Sequence, residues 1–266
     1  MKESNKSTNN TLKFDHKMVD KNHEKTILLL HGFLGSQLIW EAIIPELSAS
    51  FNVITMDLPG HGASSVKGEV HTMEAMAKVV IDQLNNLGVS QVHLVGHSMG
   101  GYVGLEILKQ QPELLDSLTL LNSTAKSDSL QKRQDRLRAV KVFDLSPKVY
   151  IREALNNLFY PPNLDRCQSE VERLQEIALL TSPAGAQACL RGMRIRADHV
   201  ELINTTTVPV QYIAGMQDTT VTYDSIREQI KSSTIKLVAF EQSGHMSFAE
   251  EKEKCTNAII NFVSTL

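Results

Sequence analysis

A serine at the centre of a glycine-flanked pentapeptide is the strongest chemical signal in this sequence. The pentapeptide is Gly96-His97-Ser98-Met99-Gly100, and it lies between a short apolar run and a segment with helical periodicity. Small residues two positions before and after a serine let a strand turn sharply into a helix, which exposes the hydroxyl above the sheet. The N-terminus of that helix favours negative charge beside the hydroxyl. We therefore predict that Ser98 is a nucleophile.

A serine hydroxyl reacts readily only when a base takes its proton and a carboxylate orients that base. Asp218 and His245 each follow a short apolar run typical of a strand, so both are expected at carboxyl ends of strands. Their order along the chain, with the acid before the histidine, is the order associated with this serine turn. The acid could stand one strand earlier, but the run that ends at Leu121 is followed by Asn122. That leaves Asp218 as the predicted acid and His245 as the base.

Attack on a carbonyl also needs two backbone N–H groups that bind the developing oxyanion. The N–H of Met99, directly after the serine, is one predicted donor. The second is expected from the loop 31–35, because its two glycines let the main chain turn toward a substrate. We predict the Phe33 N–H as that donor.

Strands and helices that could position these residues alternate along the chain. Six predicted strands are short apolar runs: Thr26–Leu30, Val53–Asp57, Val92–Val95, Leu118–Leu121, Pro209–Ile213 and Ile235–Phe240. Segments with helical periodicity lie between or after them: Leu38–Leu47, Met73–Leu87, Gly101–Gln110, Thr222–Ile230 and Ala249–Phe262. This alternation predicts an α/β fold with a mostly parallel sheet, helices on both faces and a ligand site at the carboxyl ends of the strands.

One segment, residues 122–207, interrupts the alternation. Its apolar residues recur at helical spacing, with no strand signal, so we predict a helical cap inserted into a core formed by residues 24–121 and 208–266. Residues 1–23 are a polar N-terminal segment, with Leu12–Val19 as a candidate edge strand.

Five short motifs in this order resemble the α/β-hydrolase family over about residues 24–265. They are Leu30–Phe33, Asp57–Gly62, Gly96–Gly101, Gly215–Asp218 and Ser243–His245. The sequence is most similar to the compact, cofactor-free branch that contains small carboxylesterases, enol-lactonases, carbon–carbon bond hydrolases and a menaquinone-pathway cyclohexadiene-carboxylate synthase. The resemblance implies a Ser98–His245–Asp218 triad, an acyl-enzyme on Ser98 and a helical lid.

The expected activity is that of a carboxylesterase-type serine hydrolase that cleaves a small ester or lactone. A first alternative keeps the triad for carbon–carbon cleavage or for the elimination catalysed by the menaquinone-pathway synthase. In that synthase an arginine typically follows the double glycine, whereas Tyr102 follows Gly100-Gly101 here. A second alternative is a ligand receptor built on a hydrolase scaffold.

Substrate-binding residues are expected among the aromatic residues and methionines near the site and in the cap. The candidates are Tyr102, Phe143, Tyr150, Phe159, Met193 and Phe248.

The cap is also rich in arginine. Most of these side chains are expected on solvated helix faces, but Arg191, Arg194 or Arg196 could bind a substrate carboxylate.

Composition narrows the class of protein further. The 266 residues carry a net charge of −3, which gives no basic field for nucleic acid or an anionic membrane. We expect Cys167, Cys189 and Cys255 to be reduced, buried thiols, and we expect a cytoplasmic protein because the N-terminus lacks a secretory apolar segment.

The histidines other than His245 are expected to have structural roles. His31 and His97 flank the site and are predicted to hold loop backbone, and His61 to shape a turn. The remaining five form no spaced ligand set, so neither metal nor cofactor is expected: His16, His23, His71, His93 and His199.

Overall fold

A seven-stranded sheet forms the centre of the protein. The computed structural model describes residues 14–266. The strands are β1 (His16–Val19), β2 (Thr26–Leu30), β3 (Asn52–Met56), β4 (Val92–His97), β5 (Leu115–Leu121), β6 (Val210–Gly215) and β7 (Lys236–Phe240). Their order across the sheet is β1-β3-β2-β4-β5-β6-β7; β1 is antiparallel to β3, and all other neighbours are parallel. The predicted α/β fold with a mostly parallel sheet is confirmed.

Helices lie between the strands and after the last one. They are α1 (Ile44–Leu47), α2 (Met73–Asn86), α3 (Met99–Gln110), α4 (Leu130–Leu145), α5 (Pro147–Asn156), α6 (Gln168–Leu179), α7 (Pro183–Arg194), α8 (Val200–Thr205), α9 (Tyr223–Gln229), α10 (Ser247–Glu250) and α11 (Lys252–Ser264). Within the described residues, none of them is long and apolar enough to cross a bilayer.

Several predicted elements differ from the structure in extent. The strand predicted over Leu118–Leu121 begins at Leu115, and the helix predicted over Ala249–Phe262 is divided at Glu251 into α10 and α11. The predicted helix Leu38–Leu47 is divided into a 3-10 turn over Gln37–Trp40 and the short α1, which has Pro45 in its first turn. Proline lacks an N–H donor and its ring clashes with the carbonyl of the preceding turn, so one continuous helix cannot form. The candidate edge strand Leu12–Val19 is observed over His16–Val19, and its first two residues lie outside the described part of the chain.

Helices α4 to α8 all lie between β5 and β6, in the segment 122–207 that we call the cap. Their buried side chains belong to the same apolar cluster as the sheet, which runs from Leu28 and Leu94 in the strands to Phe143 and Leu190 in the cap. Cap and sheet therefore share one continuous interior. The three cysteines are free and buried within the fold.

Candidate active site

Ser98 occupies a sharp turn between β4 and α3. Its backbone angles are φ +49° and ψ −112°, a conformation that L-residues rarely adopt. Two hydrogen bonds fix the turn: the Ser98 N–H donates to the Leu121 carbonyl at 3.0 Å, and the Ser98 carbonyl accepts from the Gly101 N–H at 3.0 Å. Strain of this kind persists only where surrounding structure enforces it, and it is typical of functional sites.

The glycines on either side of the turn are required by close backbone contacts. A Cβ atom on Gly100 would lie 2.2 Å from the Leu30 carbonyl oxygen, and a Cβ on Gly96 would lie 2.5 Å from the Gly100 carbonyl carbon. Both distances are far inside van der Waals contact. The spacing of glycines that marked the motif in the sequence is therefore a packing requirement of the strand–helix junction.

Asp218 and His245 form a buried pair. The Nδ1 atom of His245 lies 2.7 Å from Asp218 Oδ2, while Asp218 Oδ1 accepts from the N–H groups of Thr220 and Val221 at 2.8 and 2.9 Å. Burial alone would raise the pKa of Asp218, but His245 and these backbone donors outweigh it and lower that pKa below its ordinary value. Because the carboxylate can only accept, Nδ1 carries the proton and Nε2 keeps a lone pair, which is the form a general base needs.

Asn122 contributes to the same pair, although no sequence motif indicated this role. Its backbone has a positive φ of 46°, and its side chain is fully buried. The Nδ2 group donates to Asp218 Oδ2 at 3.3 Å and to the Gly244 carbonyl at 3.0 Å. Asn122 therefore ties the carboxylate to the loop that carries His245.

Glu250 holds the other side of that loop. Its Oε1 atom accepts from the N–H groups of Gly244 and Met246 at 2.9 and 3.3 Å, directly before and after His245. Its Oε2 atom accepts from the Tyr160 N–H at 2.9 Å and from Asn163 Nδ2 at 2.7 Å, both in the cap. One buried carboxylate thus joins the His245 loop to the cap.

The loop 31–35 lies against Ser98. A Cβ on Gly32 would be 3.2 Å from Ser98 Cβ, so the main chain approaches the serine closely. The Leu34 N–H donates to His61 Nε2 at 3.2 Å, and the Gly35 N–H donates to the Gly32 carbonyl at 3.0 Å. Both N–H groups already have acceptors, one in His61 and one within the loop, and the Phe33 N–H remains the predicted second oxyanion donor.

The neighbouring histidines hold backbone, as predicted from the sequence. His31 bonds the Gly32 carbonyl through Nδ1 at 2.7 Å and the Leu58 N–H through Nε2 at 2.9 Å. His97 Nε2 donates to the His245 carbonyl at 3.0 Å, and its Nδ1 atom is buried without a hydrogen-bond partner among the described residues. Burial, assisted by the nearby His245, lowers the pKa of His97 to about 3 and keeps its ring neutral.

A cavity of about 310 Å³ connects the predicted chemical groups to the cap. Ser98, His245 and Phe33 line it, as do three of the predicted substrate residues, Tyr102, Tyr150 and Met193. Its lining also includes Arg136, which the sequence did not single out.

The other three predicted substrate residues are buried outside this lining, as far as the described residues show. Phe143 packs behind Tyr150 at a ring separation of 4.9 Å, and Phe248 packs against His97 at 5.0 Å. Phe159 is buried in the cap next to Gly244. Among the described side chains, no three or more histidines, cysteines, aspartates or glutamates are grouped so that they could hold a metal ion.

Residues 25–158 match the family model described as alpha/beta hydrolase fold. The 3-oxoadipate enol-lactonase 2 of Acinetobacter baylyi is 27% identical over 240 residues, which cover 89% of this chain and 88% of that protein. An esterase from Thermogutta terrifontis, solved with malate bound, is 27% identical, with a TM-score of 0.90 and coverage of 96% of this chain and 94% of that chain. The enol-lactonase from Burkholderia xenovorans is 19% identical, with a TM-score of 0.88 over 96% of this chain and 98% of that chain, and shares the fold. The chain therefore belongs to the alpha/beta hydrolase fold family.

Proposed function

We propose that this hydrolase-fold enzyme is a carboxylesterase-type serine hydrolase that cleaves a small ester or lactone. The observation that carries the proposal is one cavity lined by both Ser98, in its strained turn, and His245, whose Nδ1 lies 2.7 Å from the buried Asp218 carboxylate. The enol-lactonase and the esterase that are each 27% identical over most of the chain support the same reaction class.

In the proposed reaction, His245 Nε2 takes the Ser98 proton while Ser98 Oγ attacks the substrate carbonyl carbon. The carbonyl oxygen becomes an oxyanion that accepts hydrogen bonds from the Phe33 and Met99 N–H groups. The Met99 N–H suits this role because the first N–H groups of a helix have no intrahelical acceptor. Asp218 stabilises the imidazolium that His245 has become.

The intermediate then collapses, the alkoxy oxygen leaves with the proton from His245, and an acyl group remains on Ser98. Water, whose proton passes to His245, attacks the acyl carbon and releases the carboxylic acid. The proton returns to Ser98, so each turnover consumes one water and leaves the enzyme unchanged.

The cap is proposed to act as a lid that completes this site. The His245 N–H donates to the Leu158 carbonyl at 2.7 Å, so a cap residue positions the proposed base directly. Tyr150 and Met193 extend the cavity wall from the cap side.

The test is hydrolysis of p-nitrophenyl acetate and butyrate by the wild type and by Ser98→Ala. We expect a loss of about 10⁴-fold or more in kcat in the variant, as in other serine triads. Ser90→Ala is a matched control, since Ser90 is exposed just before β4, at the amino ends of the strands and away from Ser98. Equal activity in wild type and Ser98→Ala would refute the proposal.

Two outcomes would favour the alternatives instead. Turnover of the menaquinone-pathway synthase substrate, with little ester hydrolysis, would indicate the elimination reaction. A single slow labelling of Ser98 without turnover would indicate a ligand receptor.

A further inference from the structure

One buried carboxylate in the cap is shared by two guanidinium groups. Asp128, before α4, accepts from Arg136 Nε through Oδ2 and from Arg196 Nη1 through Oδ1, and Arg136 Nη2 adds a contact of 3.3 Å. The side chains of Asp128 and Arg196 are almost fully buried, and that of Arg136 is 12% exposed. Two cations against one anion leave one positive charge uncompensated within this group.

The guanidinium of Arg196 donates its hydrogen bonds to groups inside the protein. Besides Asp128, it donates to the Lys126 carbonyl at 2.9 Å and to the Met193 carbonyl at 3.3 Å. Its guanidinium stacks 4.2 Å from the centre of the Tyr102 ring, and within the described residues it does not line the cavity that holds Ser98. Arg196 therefore anchors Asp128 from behind.

Arg136 lines the cavity itself. Its Nη1 atom lies 3.3 Å from Met193 Sδ, and a thioether sulfur is a weak acceptor. Among the described residues, the contacts to Asp128 and Met193 use three of the five N–H groups of the guanidinium, which leaves two for a ligand. A desolvated guanidinium with free donors recognises a carboxylate strongly, because the planar fork matches its two oxygens.

The charges around Arg136 agree with an anionic ligand. Lys132, one turn earlier on α4, also lines the cavity. Asp135 lines it too, but its carboxylate is bound by Arg138 at 2.8 Å and by Gln131 at 3.1 Å on the outer side of the helix. The cap therefore presents a net positive wall to the cavity.

We propose that Arg136 binds a carboxylate carried by the substrate, so that the preferred substrates are anionic esters or lactones. This inference rests on the proposed function and names its substrate class. It also replaces the arginines considered from the sequence. Arg196 is occupied by Asp128, and Arg191 donates to the Glu69 carbonyl at 3.2 Å on the surface. Arg194 does not line the cavity as far as the described residues show.

The test compares charged and neutral substrates of matched length in wild type and Arg136→Met. In the first pair, ethyl hydrogen adipate carries a carboxylate on the acyl side and ethyl hexanoate is its neutral counterpart. In the second pair, para-acetoxybenzoate carries the carboxylate on the alcohol side and its methyl ester is the neutral counterpart. We expect the ratio of kcat/KM, charged over neutral, to fall about tenfold or more in Arg136→Met for at least one pair. The loss should appear mainly in KM, and Arg136→Lys should retain part of the ratio.

Two features guard against a merely structural effect. Asp128 keeps Arg196 in Arg136→Met, so no buried carboxylate is left without a cation. Arg152→Met is the matched control, because Arg152 is exposed on the cap helix α5 and does not line the cavity as far as the described residues show. A structural disturbance would lower the rates for both members of a pair and leave their ratio unchanged. An unchanged ratio in both pairs overturns the inference.

Direct binding separates this inference from the proposed function. Adipate is titrated into Ser98→Ala and into the double variant with Arg136→Met by isothermal titration calorimetry, and we expect about tenfold weaker binding in the double variant. If the wild type hydrolyses no ester at all, the proposed function fails, and the adipate titration alone then tests whether Arg136 binds a carboxylate. Equal adipate affinity in that case overturns the carboxylate site as well.

Discussion

The position of the acid offers a sharp test of the proposed triad, because Asn122 lies next to it. Asn122 Nδ2 is 3.3 Å from Asp218 Oδ2, and that same oxygen is 2.7 Å from His245 Nδ1. A carboxylate at position 122 would therefore place an oxygen no more than about 6 Å from the imidazole. Aspartate tolerates the positive φ at this position.

Asp218→Asn alone should lower kcat by about 10⁴-fold, because the amide no longer selects the productive tautomer of His245. Its carbonyl oxygen can still accept from the two backbone N–H groups that Asp218 binds, so the loop should keep its shape. In the double variant Asp218→Asn with Asn122→Asp, a charge at about 6 Å stabilises the imidazolium by about 3 kcal/mol at an effective dielectric constant of about 20. That energy corresponds to a recovery of about 100-fold in kcat.

The assay is hydrolysis of p-nitrophenyl acetate as a function of pH by the wild type, the single variants and the double variant. Thermal unfolding of each variant shows whether the fold is retained. The reasoning is refuted if the double variant is folded like the wild type yet no more active than Asp218→Asn.

Three further predictions concern the residues around the site. Glu250→Gln should lose about 1–3 kcal/mol of unfolding free energy and lower kcat more than it changes KM, because the amide turns a donor toward backbone N–H groups. Urea unfolding should show no such loss for Glu253→Gln, in which the residue replaced is exposed. Equal stability of the two variants would contradict the role of Glu250 in joining the His245 loop to the cap. Because the pKa of His97 is lowered from 6.5 to about 3, the unfolded chain binds an extra proton between these values. The His97 contribution to stability is thus complete above pH 6.5 and is lost as the pH falls toward 3. In urea unfolding, His97→Asn should therefore reduce the slope of unfolding free energy against pH by up to about 1.4 kcal/mol per pH unit. An unchanged slope would show that the pKa of His97 is not lowered by the fold. Gly100→Ala should abolish hydrolysis or soluble expression, since its Cβ would lie 2.2 Å from a backbone oxygen, and a soluble, active variant would disprove that contact.

The strands and the three proposed triad residues were predictable because their signals are local. A parallel strand buried on both faces reads as a short apolar run, and the turn at Ser98 needs its glycines within two residues. Asp218 and His245 follow such runs directly, so the carboxyl edge of the sheet brings them together. The sequence alone therefore indicated the fold and the place of the proposed triad within it.

The supporting residues were not predictable because their roles depend on contacts distant in the chain. Glu250 acts through Tyr160 and Asn163, about ninety residues away. Arg136 lies on α4. The spacing of apolar residues predicted helices in this segment, but polar and apolar residues of α4 are not separated onto two faces, so the sequence did not indicate which side of α4 points inward. Phe143 was likewise expected to bind substrate, because residue type alone does not distinguish a side chain of the cavity wall from one packed behind it, as Phe143 is behind Tyr150.

The bonds between the cap and the His245 loop restrict how the cavity can open. Leu158, Tyr160 and Asn163 hold that loop through the His245 N–H and the Glu250 carboxylate. If the whole cap lifted as a rigid body, these bonds would break and His245 would lose its alignment with Asp218. Any movement of the cap that preserves the proposed His245–Asp218 pairing must therefore leave the segment 158–163 in place. That segment both supports the proposed base and forms part of the cavity wall, since Leu158 lines the cavity.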